Sequence, residues 1–114
     1  MGIRTSPDSL DLLPGTLYLL ILRTLAHGPL HGYAISRRIK QASSDALQVE
    51  EGSLYPALNR MLVKGWLKAE WGTSDNNRKA RFYRLTPDGR RQMEQETRTF
   101  EALAQAIRQV IETA

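Results

Sequence analysis

Cysteine is absent from this 114-residue chain, and aromatic residues make up only 7% of it. The lack of cysteine excludes disulfide frameworks, zinc fingers and thiol catalysis. The longest apolar run, residues 17–22, is about a third of a membrane span. The N-terminus shows no charged start followed by an apolar stretch, so it carries no evident secretory signal. We therefore expect a cytoplasmic protein with no membrane partner.

Residue groups typical of enzymes and metal sites are also missing. The chain has no nucleophile elbow and no phosphate-binding glycine loop, and its acidic residues are scattered rather than paired. The two histidines, His27 and His31, flank a Gly-Pro turn, so the one-face spacing of a helical metal pair is not available. We expect no enzyme activity, no metal and no cofactor.

Positive charge is concentrated in the middle of the chain. The whole chain has a net charge of +4, with 16 basic and 12 acidic residues. Residues 1–52 are neutral, residues 53–91 have a net charge of +6, and residues 92–114 have a net charge of −2. An uneven distribution of this kind is typical of a surface that binds phosphate.

Apolar residues at helical spacing predict three helices, at about residues 14–27, at about residues 31–42, and from a start within residues 51–53 to residue 64. Gly28-Pro29 ends the first and Gly65 ends the third. Pro56 is expected in the first turn of the third helix, where a missing backbone donor costs nothing. Residues 47–49 can form a very short strand between the second and third helices.

After the third helix, the spacing of apolar residues changes from about 3.6 residues, typical of a helix, to 2 residues, typical of a strand. Residues 66–71 and 81–85 alternate as strands on either side of a polar, basic loop, which predicts an antiparallel hairpin. Trp66 and Trp71 are expected to pack between strand and helix, although one of them could line a ligand cavity. Tyr33 and Tyr83 are likewise expected to pack inside the domain.

A long helix is predicted over residues 87–114, because Thr86-Pro87-Asp88 is a strong start signal and no breaker follows Gly89. Such a helix is about 39 Å long, too long for a domain of this size to cover. Its apolar seam needs a partner, and a second copy of the chain is the simplest one. The residues predicted at a dimer interface are Leu13, Met93, Phe100, Leu103, Ile107 and Val110.

Three helices followed by a basic hairpin predict a mainly α (α+β) winged helix-turn-helix with a two-stranded wing. We divide the chain into a flexible N-terminal tail (residues 1–12), a winged helix-turn-helix DNA-binding domain (residues 13–86) and a C-terminal dimerisation helix (residues 87–114). A helix fits the major groove, and a basic loop can reach phosphates or the minor groove.

Four short motifs carry a resemblance to a known family: LPGTL at residues 13–17, GPLHGYAI at 28–35, EGSLYPAL at 51–58 and FYRLT at 82–86. Together they resemble the PadR-like family of bacterial transcriptional regulators, in the short form with a single C-terminal helix. The resemblance implies a homodimeric DNA-binding regulator, usually a repressor, that is released by a small aromatic or lipophilic effector. Effector contacts share no motif in this family, so the resemblance assigns none.

The same resemblance places Ser53, Tyr55, Asn59 and Arg60 on the recognition helix. Tyr55 could contact DNA or pack on the second helix. The full set of predicted DNA-binding residues adds two cations of the second helix and the wing: Arg37, Lys40, Asn76, Asn77, Arg78, Lys79 and Arg81.

The expected partner is an inverted-repeat operator in double-stranded DNA, bound by a dimer with recognition helices about one DNA turn apart. Two alternatives stay open. The chain could be a small-molecule sensor, or a protein-interaction winged-helix module, in either case without operator-specific DNA binding.

Overall fold

A computed structural model describes residues 3–4 and 15–113 of the chain. Its elements follow one another as β1 (Ile3–Arg4), α1 (Thr16–Leu25), β2 (Leu30–His31), α2 (Gly32–Ala42), β3 (Gln48–Val49), α3 (Glu51–Val63), β4 (Leu67–Thr73), β5 (Lys79–Leu85) and α4 (Pro87–Thr113). The three helices, the hairpin and the long final helix therefore occur in the order that the hydrophobic periods predict.

The core lies where α1, α2 and α3 meet the sheet and the first turns of α4. It is made of aliphatic side chains at helical spacing, because only such side chains fill the space between helices without leaving polar atoms unpaired. The fully buried members are Ile21, Leu22, Leu25, Ile35, Leu54, Leu58 and Met61.

The hairpin of β4 and β5 forms the predicted wing, in register from Leu67 opposite Leu85 to Thr73 opposite Lys79. A third strand, β2, pairs antiparallel with β5 and gives the order β2-β5-β4. The two-residue β2 was not predicted, because it is too short to show a period.

The second, smaller sheet pairs β1 with β3, so Ile3 and Arg4 of the predicted tail lie against Gln48 and Val49. The very short strand predicted near residues 47–49 is present as β3. The rest of the predicted tail, Leu13 of the predicted dimer interface and Pro14 lie outside the described residues.

The end of α3 is fixed by Gly65, as predicted. Gly65 has a φ of +79°, and the amides of Gly65 and Trp66 donate to the carbonyls of Leu62 and Met61, both at 3.0 Å. These two bonds form the glycine-dependent Schellman stop. The prediction for Pro56 was wrong. Because α3 begins at Glu51, Pro56 lies in the second turn, where it has no N–H to donate to a carbonyl of the first turn.

The start of α4 is tied to the end of α3 through Thr86. The Thr86 hydroxyl accepts a hydrogen bond from the Gly89 amide at 3.0 Å and donates to the carbonyl of Gly65 at 2.6 Å. The Thr86 amide donates to the carbonyl of Trp66 at 3.0 Å. Thr86 is therefore the predicted helix cap, and it also links two helices that lie far apart in sequence.

The rest of α4 leaves the domain. Its apolar seam of Phe100, Leu103, Ile107 and Val110 is between 45% and 65% exposed. Met93 was predicted in this seam, but it is 5% exposed and belongs to the core of its own chain. The correction has a geometric reason, since the first two turns of α4 still lie on the domain. Across residues 15–113, no helix has both the length and the apolar character needed to cross a bilayer.

We expect Gly89→Ala to lower the free energy of unfolding by about 1–3 kcal/mol, the usual cost of forcing an extra methyl group into a packed site. A Cβ at this position would collide with the carbonyl oxygen of Trp66. Urea unfolding at a fixed chain concentration measures the change. Gly52→Ala is the matched control, because a Cβ there meets nothing within 4 Å. Equal stability of the two variants would contradict the packing argument.

Candidate nucleic-acid interface

The predicted recognition residues of α3 differ in how far their side chains are exposed. Asn59 is exposed and has no side-chain partner within the described part of the chain. Ser53, two residues before Tyr55 on the same helix, is half-buried. Asn59 can donate and accept hydrogen bonds, as reading a base edge requires.

Tyr55 packs against the start of α2. A Cβ at Gly32 would lie 2.5–2.7 Å from the phenol of Tyr55, so only glycine leaves room for this ring. Burial raises the pKa of Tyr55 above 10.0, and the nearby Glu51 and Tyr83 raise it further. The ring is nevertheless 38% exposed. Tyr55 thus joins α3 to α2 while its outer edge stays accessible.

Arg60 leans towards α1 instead of extending freely. Its Nε donates a hydrogen bond to the hydroxyl of Tyr18 at 2.6 Å, and its guanidinium lies 5.7 Å from the centre of the same ring. The Tyr18 ring in turn meets Trp66 edge-on, with centroids 5.7 Å apart. No local pattern predicts this contact, because Tyr18 and Arg60 are 42 residues apart.

The exposed face of α2 lies beside the wing loop. A polar cleft of about 370 Å³ separates them, and Arg37 and Asn76 line it from opposite sides. The guanidinium of Arg37 lies 5.7 Å from the ring of Tyr33, while Lys40 is exposed one turn further on. The packing prediction for Tyr33 was wrong: its ring is 60% exposed, because it points away from the Ile35 and Ile39 stripe.

The wing loop, residues 74–78, is an ordered turn. The Ser74 amide donates to the carbonyl of Arg78 at 2.8 Å, and the Asn77 amide donates to the carbonyl of Ser74 at 2.9 Å. Asn77 has a φ of +58°, a conformation that asparagine tolerates better than most residues. Asn77 therefore shapes the turn, and the exposed Arg78 projects from it without an ion-pair partner among the described residues.

One face of the hairpin continues from the core out to the wing. Residues opposite or two apart share a face, so the pairing of Trp71 with Arg81 puts both on the side of the buried Tyr83. The Arg81 guanidinium lies 5.7 Å from the centre of the Tyr83 ring. The ammonium of Lys79 lies 5.1 Å from the centre of Trp71.

Trp71 is 65% exposed, so its predicted packing between strand and helix was wrong. Trp66 is half-buried beside Tyr18, as predicted. The alternation of the strands could have predicted this exposure, because Trp71 lies on the same face of the hairpin as Lys79 and Arg81 of the paired strand.

The predicted residues thus divide into two regions. Arg37 of α2 and Asn76 of the wing loop line one cleft, and Tyr55 joins α3 to α2, whereas the exposed seam residues lie along α4. Among the described residues, no cluster of three or more histidine or acidic side chains is positioned to hold a metal ion. His31 instead accepts a hydrogen bond from the Ala34 amide at 3.3 Å and caps α2.

A comparison with protein families agrees with this architecture. The model of the transcriptional regulator PadR-like family matches residues 21–95, which contain all of α2, α3 and the wing. This chain belongs to the PadR-like family. Membership places it among transcriptional regulators rather than enzymes, and it confirms the resemblance carried by the four sequence motifs.

Individual transcriptional regulators are also similar to this chain. Transcriptional regulator Rv3488 of Mycobacterium tuberculosis is 34% identical over 89 residues, which cover 78% of this chain and 79% of that protein. A transcriptional regulator from Clostridium thermocellum superimposes with a TM-score of 0.76 at 27% identity, over 83% of this chain and 92% of that chain.

Bacillus subtilis PadR, solved in complex with operator DNA, has a TM-score of 0.64 at 22% identity. The match covers 72% of this chain and 46% of that one. At this identity the likeness concerns the fold. The predicted winged helix is confirmed by these neighbours, with a third strand added to the predicted two-stranded wing.

Proposed function

We propose that this PadR-like chain is a homodimeric, cytoplasmic repressor that binds an inverted-repeat operator. One observation carries the proposal: Arg37 of α2 and Asn76 of the wing loop line one polar cleft, Tyr55 of α3 packs on the start of α2, and an exposed apolar seam lies along α4. The solved operator complex of Bacillus subtilis PadR, which has the same fold, supports DNA as the partner.

In this proposal the three elements divide the work of binding. The outward face of α3 enters the major groove, where Asn59 and the edge of Tyr55 meet base edges. Arg37 and Lys40 of α2 and Arg78 and Lys79 of the wing contact phosphates. Phosphate contacts fix the register of the protein on DNA, and base contacts supply the specificity.

Dimerisation follows from the seam of α4. Phe100, Leu103, Ile107 and Val110 recur every three or four residues, which is the spacing of a helix that packs on another helix. A two-fold axis through this seam presents two copies of α3. Their separation of about one DNA turn predicts half-sites about 10 bp apart, centre to centre.

A groove of about 380 Å³ between α1 and α4 supports the effector part of the proposal. Its lining combines the apolar Leu19, Phe100 and Leu103 with Tyr18 and with polar side chains that include Gln95 and Glu96, so a flat aromatic compound with a polar edge fits its chemistry. Tyr18 also bonds Arg60 of α3. A ligand that displaces Tyr18 would therefore disturb the recognition helix, and ligand and operator would weaken each other's binding reciprocally.

We expect replacement of both Arg78 and Lys79 by Ala to weaken binding to operator and unrelated duplexes alike. The plot of log affinity against log salt should become shallower by about 1 for each lost phosphate contact. Asn59→Ala should instead reduce the preference for the operator. Replacing Arg98 and Arg108 of α4 by Ala removes the same charge elsewhere and is the control. Fluorescence anisotropy of labelled duplexes measures all four proteins, and an equal effect of the control would contradict the proposal.

We expect Ile107→Glu to convert the dimer into single chains, because the new carboxylate would be buried in the seam. Gln105→Glu adds the same charge on the opposite side of α4 and should leave the dimer intact. Sedimentation equilibrium distinguishes the two states, since one chain has a mass of 12.9 kDa. A parent protein that sediments as one chain at every concentration would refute the dimer.

We expect a planar aromatic effector to lower operator affinity in the parent protein but less so in Tyr18→Phe, which lacks the hydroxyl that bonds Arg60. Tryptophan fluorescence titrations with a broad panel of aromatic compounds identify a ligand, and anisotropy then measures operator affinity with and without it. Flat titrations across the panel would remove the effector from the proposal. Equal coupling in parent and variant would remove the role of Tyr18.

A further inference from the structure

Trp71 is the large side chain whose exposure the fold does not explain. Its indole is 65% exposed at the outer end of β4, beyond the part of the sheet that the helices cover. A tryptophan contributes little to stability in this position, because most of its apolar surface stays in water. It also lies outside the set of residues predicted to bind DNA.

The surroundings of Trp71 are cationic. Lys79 lies over the ring at 5.1 Å, and Arg81 is its partner across the hairpin. The face that these residues share carries no carboxylate, since Glu70 points to the other face, where it pairs with Arg84 at 3.6 Å. A flat apolar ring with two cations on the same face of the hairpin matches DNA, in which apolar sugar surface lies between the charged phosphates.

Trp71 lies at the exposed end of one face of the hairpin. On this face Arg81 lies opposite Trp71, and the Arg81 guanidinium is 5.7 Å from the centre of the ring of the buried Tyr83. Lys79 lies over the indole on the same face. A DNA strand that passes this face of the wing would meet the indole.

We propose that Trp71 is a DNA-contacting residue whose indole packs against the deoxyribose face of the backbone beside the wing, while Lys79 reaches the adjacent phosphate. The inference rests on the proposed DNA binding of this chain. Sugars carry no base identity, so the contact strengthens binding without choosing the sequence. Packing of the indole on the sugars removes apolar surface from water, so we expect its loss to cost about tenfold in affinity.

A fluorescence experiment tests the contact directly. In Trp66→Phe, Trp71 is the only tryptophan, and acrylamide quenching reports its exposure before and after saturation with a labelled operator duplex. We expect quenching to fall on binding, while anisotropy of the label rises. A rise in anisotropy with unchanged quenching would overturn the inference and leave the proposed function intact. No rise in anisotropy would refute the proposed function itself, and the inference with it.

A double-mutant cycle separates direct contact from an effect through Lys79. Trp71→Ala should weaken binding to the operator and to an unrelated duplex by about tenfold each, whether or not residue 79 is replaced by Ala. Trp71→Phe should recover most of the loss, because the ring stays. If Trp71→Ala has no effect in the Lys79→Ala background, Trp71 only positions the lysine, and the inference is wrong. Unchanged thermal unfolding of Trp71→Ala confirms that the fold is intact.

Discussion

The hydrogen bonds of Thr86 fix the relation between the basic end of the molecule and the helix that leaves it. The hydroxyl holds the carbonyl of Gly65 at the end of α3 and the amide of Gly89 in α4, and the lack of a side chain at Gly89 lets α4 approach Trp66 closely. A rotation of α4 on the domain would break these bonds in a buried place, where an unpaired group costs about 1–3 kcal/mol. In the proposed dimer, the distance between recognition helices depends on this junction.

The sequence predicted the elements well where the signal is local. The Thr-Pro-Asp start of α4, the Gly65 stop and the change of period at the hairpin each depend on residues that are neighbours in the chain. Predictions from the sequence were wrong or missing where a residue's structure depends on contacts with residues far away in the chain. The strand β2 exists because Leu30 meets Tyr83, and Met93 is buried because the start of α4 lies on the domain. Neither fact can be read from a spacing of three or four residues.

The candidate interface shows a related limit. Charge and motifs indicated which residues belong to it, but not how their side chains are held. Arg37, Lys79 and Arg81 each lie over an aromatic ring, an arrangement worth about 0.5–1 kcal/mol at an exposed site. A cation that is already positioned loses less conformational freedom when it meets a phosphate. Tyr33 and Trp71 were predicted to pack inside the domain. In the proposed function, their exposed rings instead hold Arg37 and Lys79 in position for phosphates.

The positive charge and the exposed apolar surface lie in different segments of the chain. Residues 53–91 carry the net charge of +6, whereas residues 92–114 carry −2 and contain the exposed seam. Two chains that join through the seam bring together their acidic, apolar ends and leave both basic ends outermost. Each phosphate that a basic surface neutralises releases counterions from the DNA, and this release favours binding. Two basic surfaces on one dimer therefore bind a duplex more strongly than one surface does. In the proposed dimer, the seam and the basic surface therefore occupy different parts of the chain and do not compete for the same residues.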